Sequence, residues 1–506
     1  MINFTVMDLF TYEGQQLAVA DIKNWIKGKV EIAPSVWDLI KANRLSLEKL
    51  LSDSPNRYYG INTGFGTLYS VSISAEDTRQ LQTNLLRSHA CGVGPSVPPS
   101  IVRLTLLLKI ISLAKASSGV RKEVIQLLLD FYNLGITPVV PSMGSLGASG
   151  DLAPLSHLCL PLIGEGEVIY HREQLPAAKA LAMAGLEPLH LEAKEGLALI
   201  NGTQYSLALL IHALDNAWSI AEAADMCAAM SMDAYDGNNS ALDDDIHQLR
   251  KQKGQIQSAA AIRKWLQSSE IHVGQKEHLQ DPYSFRCAPQ VHGASRDVVA
   301  YALNIASLEI NAVTDNPLVI DENGSVKIVS GGNFHAQPLA LTADFLTIAL
   351  AEYGSISERR SYLLLSGQRG LPAALANQPG LESGMMICQY TAAALVNRNK
   401  ILSHPASTDS IVTSAGQEDH VSMAANAGLK LFEVVNHVWK LLAIEWMLAC
   451  QALEYRRPLQ SSPALEEKLK LYRSRVAPLA GDRSHSTDID ITENFLRQIS
   501  FEGMKN

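Results

Sequence analysis

Apolar positions recur with a helical period through much of this chain, and the runs lengthen near residue 200. Beyond it, Leu207, Leu210, Ile211, Leu214 and Trp218 fall at i, i+3, i+4, i+7 and i+11. Leu431, Val434, Val435, Val438 and Leu442 do the same. That spacing lines one face of an α-helix. Long helices are therefore predicted from about 201 and from about 428, the second ended by Pro458, whose ring cannot continue a helix. Two more are predicted at roughly 336–366 and 384–403. Their apolar faces are broad and alanine-rich, which suits helices covered on several sides.

Before residue 200 the runs are shorter. Residues 76–94 predict a helix ending near Gly92, and 99–120 another, with Leu104, Leu107, Leu108 and Ile111 on one face. Residues 164–176 and 317–332 read as small hairpins, the second turning at Asn323-Gly324. The stretch "YYGINTGFGTLYS" carries Gly60, Gly64 and Gly66 and predicts an irregular loop. The expected fold class is mainly α: a long-helix bundle with a loop-rich N-terminal part and small β-hairpins. The expected division is 1–200 and 201–506.

The chain's 506 residues, 47% hydrophobic and 18% charged, suffice for a large core. A formal net charge of -9, without a Lys/Arg cluster, argues against a nucleic-acid surface. Six cysteines are scattered without a C-x-x-C pair, which fits buried thiols in a reducing compartment better than disulfides or zinc. The start, "MINFTVMDLFTYEG", has no basic region ahead of an apolar run. No charge-free apolar stretch of membrane-spanning length is visible, so no partner membrane is expected and a cytoplasmic location is. No H-E-x-x-H occurs, and no metal site is expected.

Candidate chemistry centres on "GSLGASGDLAPLSHL", residues 144–158. No lysine follows Gly147 or Gly150 as a phosphate-binding P-loop requires. A hydrolase elbow needs G-x-S-x-G, yet Asp151 occupies the final position. "GFGTLY" likewise lacks the last glycine of a dinucleotide loop. A different chemistry fits. The Gly150 nitrogen, beside no Cβ, can approach the Ala148 carbonyl carbon. Attack there with loss of water, then loss of the Ser149 hydroxyl as a second water, closes a ring bearing an exocyclic methylene, which is an electrophile. Taken alone, the same letters describe a tight turn followed by a helix, with Asp151 near its N-terminus.

The surrounding segments favour the ring. In order, the chain carries "YGINTGFG", "LQTNLLRSHACGVG", "GSLGASGDLAPLSHL", "EGLALINGTQ", "QDPYSFRCAPQVHGA", "TDNPLV", "SGGNFHAQP", "HPASTDS" and "SAGQEDHVSM". This set resembles the aromatic amino acid ammonia-lyase family, whose members build a 4-methylideneimidazole-5-one (MIO) group from an Ala-Ser-Gly in this context. The resemblance implies a fumarase/aspartase-like helical architecture, MIO formed from Ala148-Ser149-Gly150 with no external cofactor, and a small aromatic amino acid as substrate. It also implies a homotetramer whose active sites are each shared between chains.

Elimination of ammonia needs an electrophile to activate the substrate and a base for a weakly acidic β-proton. The electrophile would engage the substrate amine or, alternatively, its ring. By resemblance, Tyr59 is the base, although a phenol with an ordinary pKa of ~10 needs help from its surroundings. The glycines after it would form a lid, and Tyr58 would serve packing. Arg286 would grip the substrate carboxylate as a bidentate partner, with Gln280 nearby and Tyr283 supporting proton transfers. Asn201 would hydrogen-bond the ring carbonyl. Phe334 would pack against ring and substrate, and His335 is read as structural.

For the substrate, Ser88-His89 and Glu418 resemble family members acting on histidine. A carboxylate such as Glu418 can accept a charge-assisted hydrogen bond from an imidazole N–H. Met386 and the tail after residue 441 also match those members. The expected reaction is therefore L-histidine to trans-urocanate and ammonia. The alternatives are a lyase or 2,3-aminomutase acting on tyrosine or phenylalanine, and a catalytically silent helical scaffold. Departures from the family pattern are Gly416, where histidine-specific members commonly carry asparagine, the wording of "SGQRGLPAAL", and the first 50 residues.

Overall fold

Both strongest helical patterns are realised, as Gln204–Ala234 and Ala424–Glu454, and the two between them as Gln337–Leu364 and Met386–Leu402. The computed structural model describes residues 8–53, 56–64, 73–74, 76–274, 276–322 and 325–499. The helices expected near 76–94 and 99–120 span Thr78–His89 and Pro99–Leu113. A further long helix, Ala288–Ile310, was hidden from periodicity because His292, Gly293, Ser295 and Arg296 interrupt its apolar face. These polar side chains are buried in pairs. His292 Nδ1 and Ser258 Oγ donate to one oxygen of Asp225 at 2.7 and 2.6 Å, and Arg296 donates to the other at 2.6 Å. A buried charge is tolerated when partners of this kind replace water. Trp218, expected on the buried face, is instead 38% exposed, with the Arg296 guanidinium 5.5 Å from its ring centre.

Strands are few and short. Glu167–Tyr170 pairs antiparallel with Glu173–Pro176 as expected, and Thr137–Pro138 adds a third strand. Leu318–Glu322 pairs with Ser325–Val329, while the expected turn at residues 323–324 lies outside the described residues. An unanticipated parallel pair joins Leu9–Tyr12 to Lys29–Ile32.

The chain forms two compact units. One comprises residues 1–212, 303–343 and 405–429, and the other 213–302, 344–404 and 430–506. Four of the boundaries fall inside the long helices, so two consecutive stretches do not describe the division. The first unit holds the strands, the short helices Leu152–Cys159 and Glu195–Ile200, and a cluster of Leu47, Ile61 and Val319. The second is built from long helices whose alanines, such as Ala217, Ala221, Ala224 and Ala228, are fully buried. Inside it, Arg360 donates to Glu445 at 2.8 Å, and Ser231 donates to the same carboxylate at 2.7 Å, tying three helices together.

Among the described residues one helix, Gln337–Leu364, is long and apolar enough to cross a membrane, but it carries Asp344 and Glu352, so it is not charge-free, and 72% of its most apolar stretch is buried inside the protein. Of the six cysteines, Cys159, Cys227, Cys388 and Cys450 are buried, Cys91 is exposed and Cys287 lies between.

Asp233 generates a testable consequence. Its carboxylate accepts from Ser269 and Ser461 at 2.7 and 2.5 Å, and burial pushes its pKa up to about 6 despite those bonds. The folded state therefore keeps a proton that the unfolded chain releases, so stability falls as pH rises from about 4 to about 6 and then levels off. The Asp233→Asn protein is expected to show a flatter melting temperature across that window, read by thermal unfolding at stepped pH.

Candidate active site

The Ala148-Ser149-Gly150 tripeptide precedes the helix Leu152–Cys159, the turn-then-helix that the letters alone suggest. It also shows something tighter. Gly150 has φ +78°, and a Cβ there would lie 2.2 Å from the Gly202 carbonyl oxygen. Only glycine permits that approach. Asp151 N donates to the same oxygen at 2.7 Å. The Asp151 side chain is fully buried and accepts from Ser206 N and Oγ at 2.8 and 2.7 Å. Burial pushes its pKa up to about 6, against those hydrogen bonds.

Asn201 follows the helix Glu195–Ile200, immediately before Gly202. Its Nδ2 donates to the Ser149 carbonyl at 2.8 Å, and its buried Oδ1 has no partner among the described residues. Ser149 Oγ donates to Glu418 Oε1 at 3.3 Å, and Thr413 Oγ1 to Glu418 Oε2 at 2.8 Å. Glu418 is presented by a tight loop in which its main chain pairs with Thr413. Ser414 and Ala415 hold φ values of 52° and 53°, a conformation that costs side-chain-bearing residues about 1–2 kcal/mol each. Gly416 has φ +86° with open space where a Cβ would stand. Asparagine enters that region more readily than other L-residues, so glycine in its place preserves the turn.

A cavity of about 1140 Å³ opens over these groups, lined also by Tyr59, His89 and Phe334. Tyr58 packs against the Leu47–Ile61–Val319 cluster, while its neighbour Tyr59 borders the cavity. Residues 65–72 of the expected lid lie outside the described residues. His89 ends the helix Thr78–His89, with Nδ1 2.9 Å from the Leu85 carbonyl. A carbonyl only accepts, so Nδ1 carries the proton and Nε2 of the neutral ring is an acceptor. Burial lowers the His89 pKa, opposed by the Leu85 carbonyl and the charge of Glu418. His335 also borders the cavity and lies 3.3 Å from the His420 carbonyl.

Four other expected residues belong to the second unit and do not line this cavity. Gln280, Tyr283 and Arg286 border a separate one of about 650 Å³. The Arg286 guanidinium lies 4.7 Å from the Tyr283 ring centre, and Tyr283 is 70% exposed. Gln280 precedes the short helix Tyr283–Arg286 and so lies in a loop, one of the two arrangements its spacing allowed. Arg360 donates to the Ser284 carbonyl at 3.2 Å, and Arg369 to Asp281 at 2.8 Å, which fixes this segment. Arg369 comes from the departing stretch "SGQRGLPAAL". Met386 opens the helix Met386–Leu402 and is 43% exposed.

Sequence reasoning did not single out Asp151 as a buried acceptor, nor Lys109 and Gln204 beside Asn201. Lys109 left one signal, a lysine inside the apolar run "LTLLLKIISL".

Comparison with known proteins matches residues 17–474 to the aromatic amino acid lyase family. The chain is 48% identical to histidine ammonia-lyase of Symbiobacterium thermophilum over 91% of each chain. Histidine ammonia-lyase from Trypanosoma cruzi superposes with TM-score 0.89 at 40% identity, covering 97% of this chain and 93% of that one. Tyrosine aminomutase from Streptomyces globisporus superposes with TM-score 0.91 at 33% identity, covering 97% of both. With its fold and nearly all of its length matched in this way, the chain belongs to the aromatic amino acid lyase family.

Proposed function

We propose that this protein is a histidine ammonia-lyase, a carbon–nitrogen lyase that converts L-histidine to trans-urocanate and ammonia. The observation that carries the substrate is the pairing of acceptors in the cavity. Glu418 offers a carboxylate within 3.3 Å of Ser149 Oγ, and His89, which lines the same cavity, offers Nε2 as a second acceptor. An imidazole can supply a charge-assisted N–H bond to that carboxylate, whereas a phenyl ring has no donor to offer it. The 48% identity to a histidine ammonia-lyase supports the same choice over the aminomutases at lower identity.

Ala148, Ser149 and Gly150 would form the MIO ring, and their surroundings suit it. Gly202 presses where a Cβ would block the Gly150 nitrogen, Asn201 holds the Ser149 carbonyl, and Glu418 accepts from the hydroxyl that must leave. Once formed, the ring supplies an electrophilic methylene, a chemistry no standard side chain offers. The chain's other residues perform the rest. Tyr59 would take the β-proton, and Asn201 would stabilise charge at the Ser149 oxygen. Phe334 would pack against the substrate side chain.

Arg286, with Gln280 and Tyr283, would bind the substrate carboxylate in an assembled homotetramer, where neighbouring copies complete each cavity. Met386 would join them. Supporting this, Tyr283 is exposed, and Tyr301, Phe345, Ile348, Tyr362, Ile387 and Tyr390 are exposed on long helices of the second unit. Large uncovered apolar side chains in such number favour association. A cytoplasmic location fits the six unpaired cysteines.

Purified protein given L-histidine is expected to produce the rising absorbance of urocanate. Cinnamate or coumarate from phenylalanine or tyrosine, with no urocanate, would refute the assignment. Ser149→Ala is expected to abolish turnover and to leave the intact mass without a two-water deficit. Glu418→Gln retains the shape but loses the charge, and kcat/KM for histidine should fall about 10- to 100-fold, the equivalent of one charge-assisted hydrogen bond.

A further inference from the structure

Lys109 lies in the helix Pro99–Leu113, flanked by the buried Leu106, Leu107, Leu108, Ile110 and Ile111. Its side chain is itself 1% exposed. An ammonium so placed is costly unless hydrogen bonds replace the water it has lost. Among the described residues no carboxylate lies within ion-pair distance of it: Asp315 is bound to Lys194 at 2.7 Å, and Asp151 accepts from Ser206. Lys109 Nζ instead donates to the Asn201 carbonyl at 2.8 Å and to Gln204 Oε1 at 3.3 Å.

The first of those acceptors leads directly to the tripeptide. Asn201 is the residue whose Nδ2 holds the Ser149 carbonyl at 2.8 Å. Gln204 Nε2 donates onward to Thr314 Oγ1 at 2.9 Å, next to the Asp315–Asn316 pair. Asn316 lines the cavity and donates to Ser330, another lining residue, at 3.1 Å. One buried cation thus links Asn201 and, through Gln204 and Thr314, the segment that carries Asn316, both of which line the cavity.

We propose that Lys109 is a positioning residue for the elimination: its ammonium clamps the Asn201 main chain so that the Asn201 amide stays on the Ser149 oxygen, and it adds a fixed positive charge behind that amide. A preorganised donor is effective because it need not reorient as charge develops, and a cation bonded to its own peptide removes the freedom that would blur it. Burial lowers the Lys109 pKa to about 8, against the pull of Asp315 and Asp151, so the ammonium persists at neutral pH. The role rests on the functional reading above and deepens it.

The test compares the full-length wild type with Lys109→Met, Lys109→Arg, Asn201→Ala and the Lys109→Met/Asn201→Ala double variant. It reads kcat and KM for L-histidine, intact mass, and melting temperature. Lys109→Met is expected to lower kcat at least about tenfold with KM within threefold, and Lys109→Arg to recover most of the loss. In the Asn201→Ala background, Lys109→Met should cost less than about threefold more, since its route is already removed. A missing two-water deficit in folded Lys109→Met supports the same clamp acting at ring formation. Unchanged kcat, with or without a lower melting temperature, overturns the proposal, and so do losses that simply multiply in the double variant. Should Lys109→Met fail to fold, Lys109→Gln, which keeps a donor without the charge, carries the comparison. A wild type that makes no urocanate defeats the functional reading itself, whereas wild-type turnover with an indifferent Lys109 defeats only this role.

Discussion

The contact between Gly150 and Gly202 is the constraint on which the site depends. At 2.2 Å from a carbonyl oxygen, a methyl group has no place, so two glycine backbones meet where no other pair could. Everything near the tripeptide is aligned by that meeting. Asn201 precedes Gly202 and so reaches the Ser149 carbonyl, and Asp151 follows Gly150 and so reaches Ser206 at the start of the helix Gln204–Ala234. A long helix and a tight glycine turn are thereby locked in one register. Helices hold side chains more closely than loops do, which is what a site operating over tenths of an ångström requires.

The second unit solves a different problem. Its helices are apolar enough to pack, yet they carry Asp225, His292, Arg296, Arg360 and Glu445 fully or nearly fully buried. Such groups add little net stability compared with apolar replacements, but each is expensive to leave unpaired. The pairings therefore discriminate between helix registers: a slip by one turn would strand a charge. Arg360 extends this to function, because the guanidinium that binds Glu445 also holds the Ser284 carbonyl, two residues before Arg286. The half-buried Arg286 is thus aimed from a buried anchor.

The strongest helices were legible because their apolar residues repeat faithfully over several turns. Ala288–Ile310 was not, because His292, Ser295 and Arg296 break the apolar repeat on its inward face, and hydrophobic spacing cannot mark a buried polar position. The parallel pair Leu9–Tyr12 and Lys29–Ile32 was equally hidden, since four-residue strands carry too few alternations to announce themselves.

By itself, the sequence determined the helical class, the two hairpins and the family, because local spacing and nine ordered motifs suffice for those. It also named residues in several distant segments that converge on one cavity: Tyr59, His89, the tripeptide, Asn201, Phe334 and Glu418. Only the tertiary structure decided that Gln280, Tyr283, Arg286 and Met386 belong to the other compact unit, that Gly202 presses on Gly150, and that Lys109 hydrogen-bonds the Asn201 carbonyl. The reason is physical. Helical period and turn chemistry act between near neighbours in the chain, whereas a close approach or a buried hydrogen bond joins residues such as 109 and 201, whose meeting no local rule encodes.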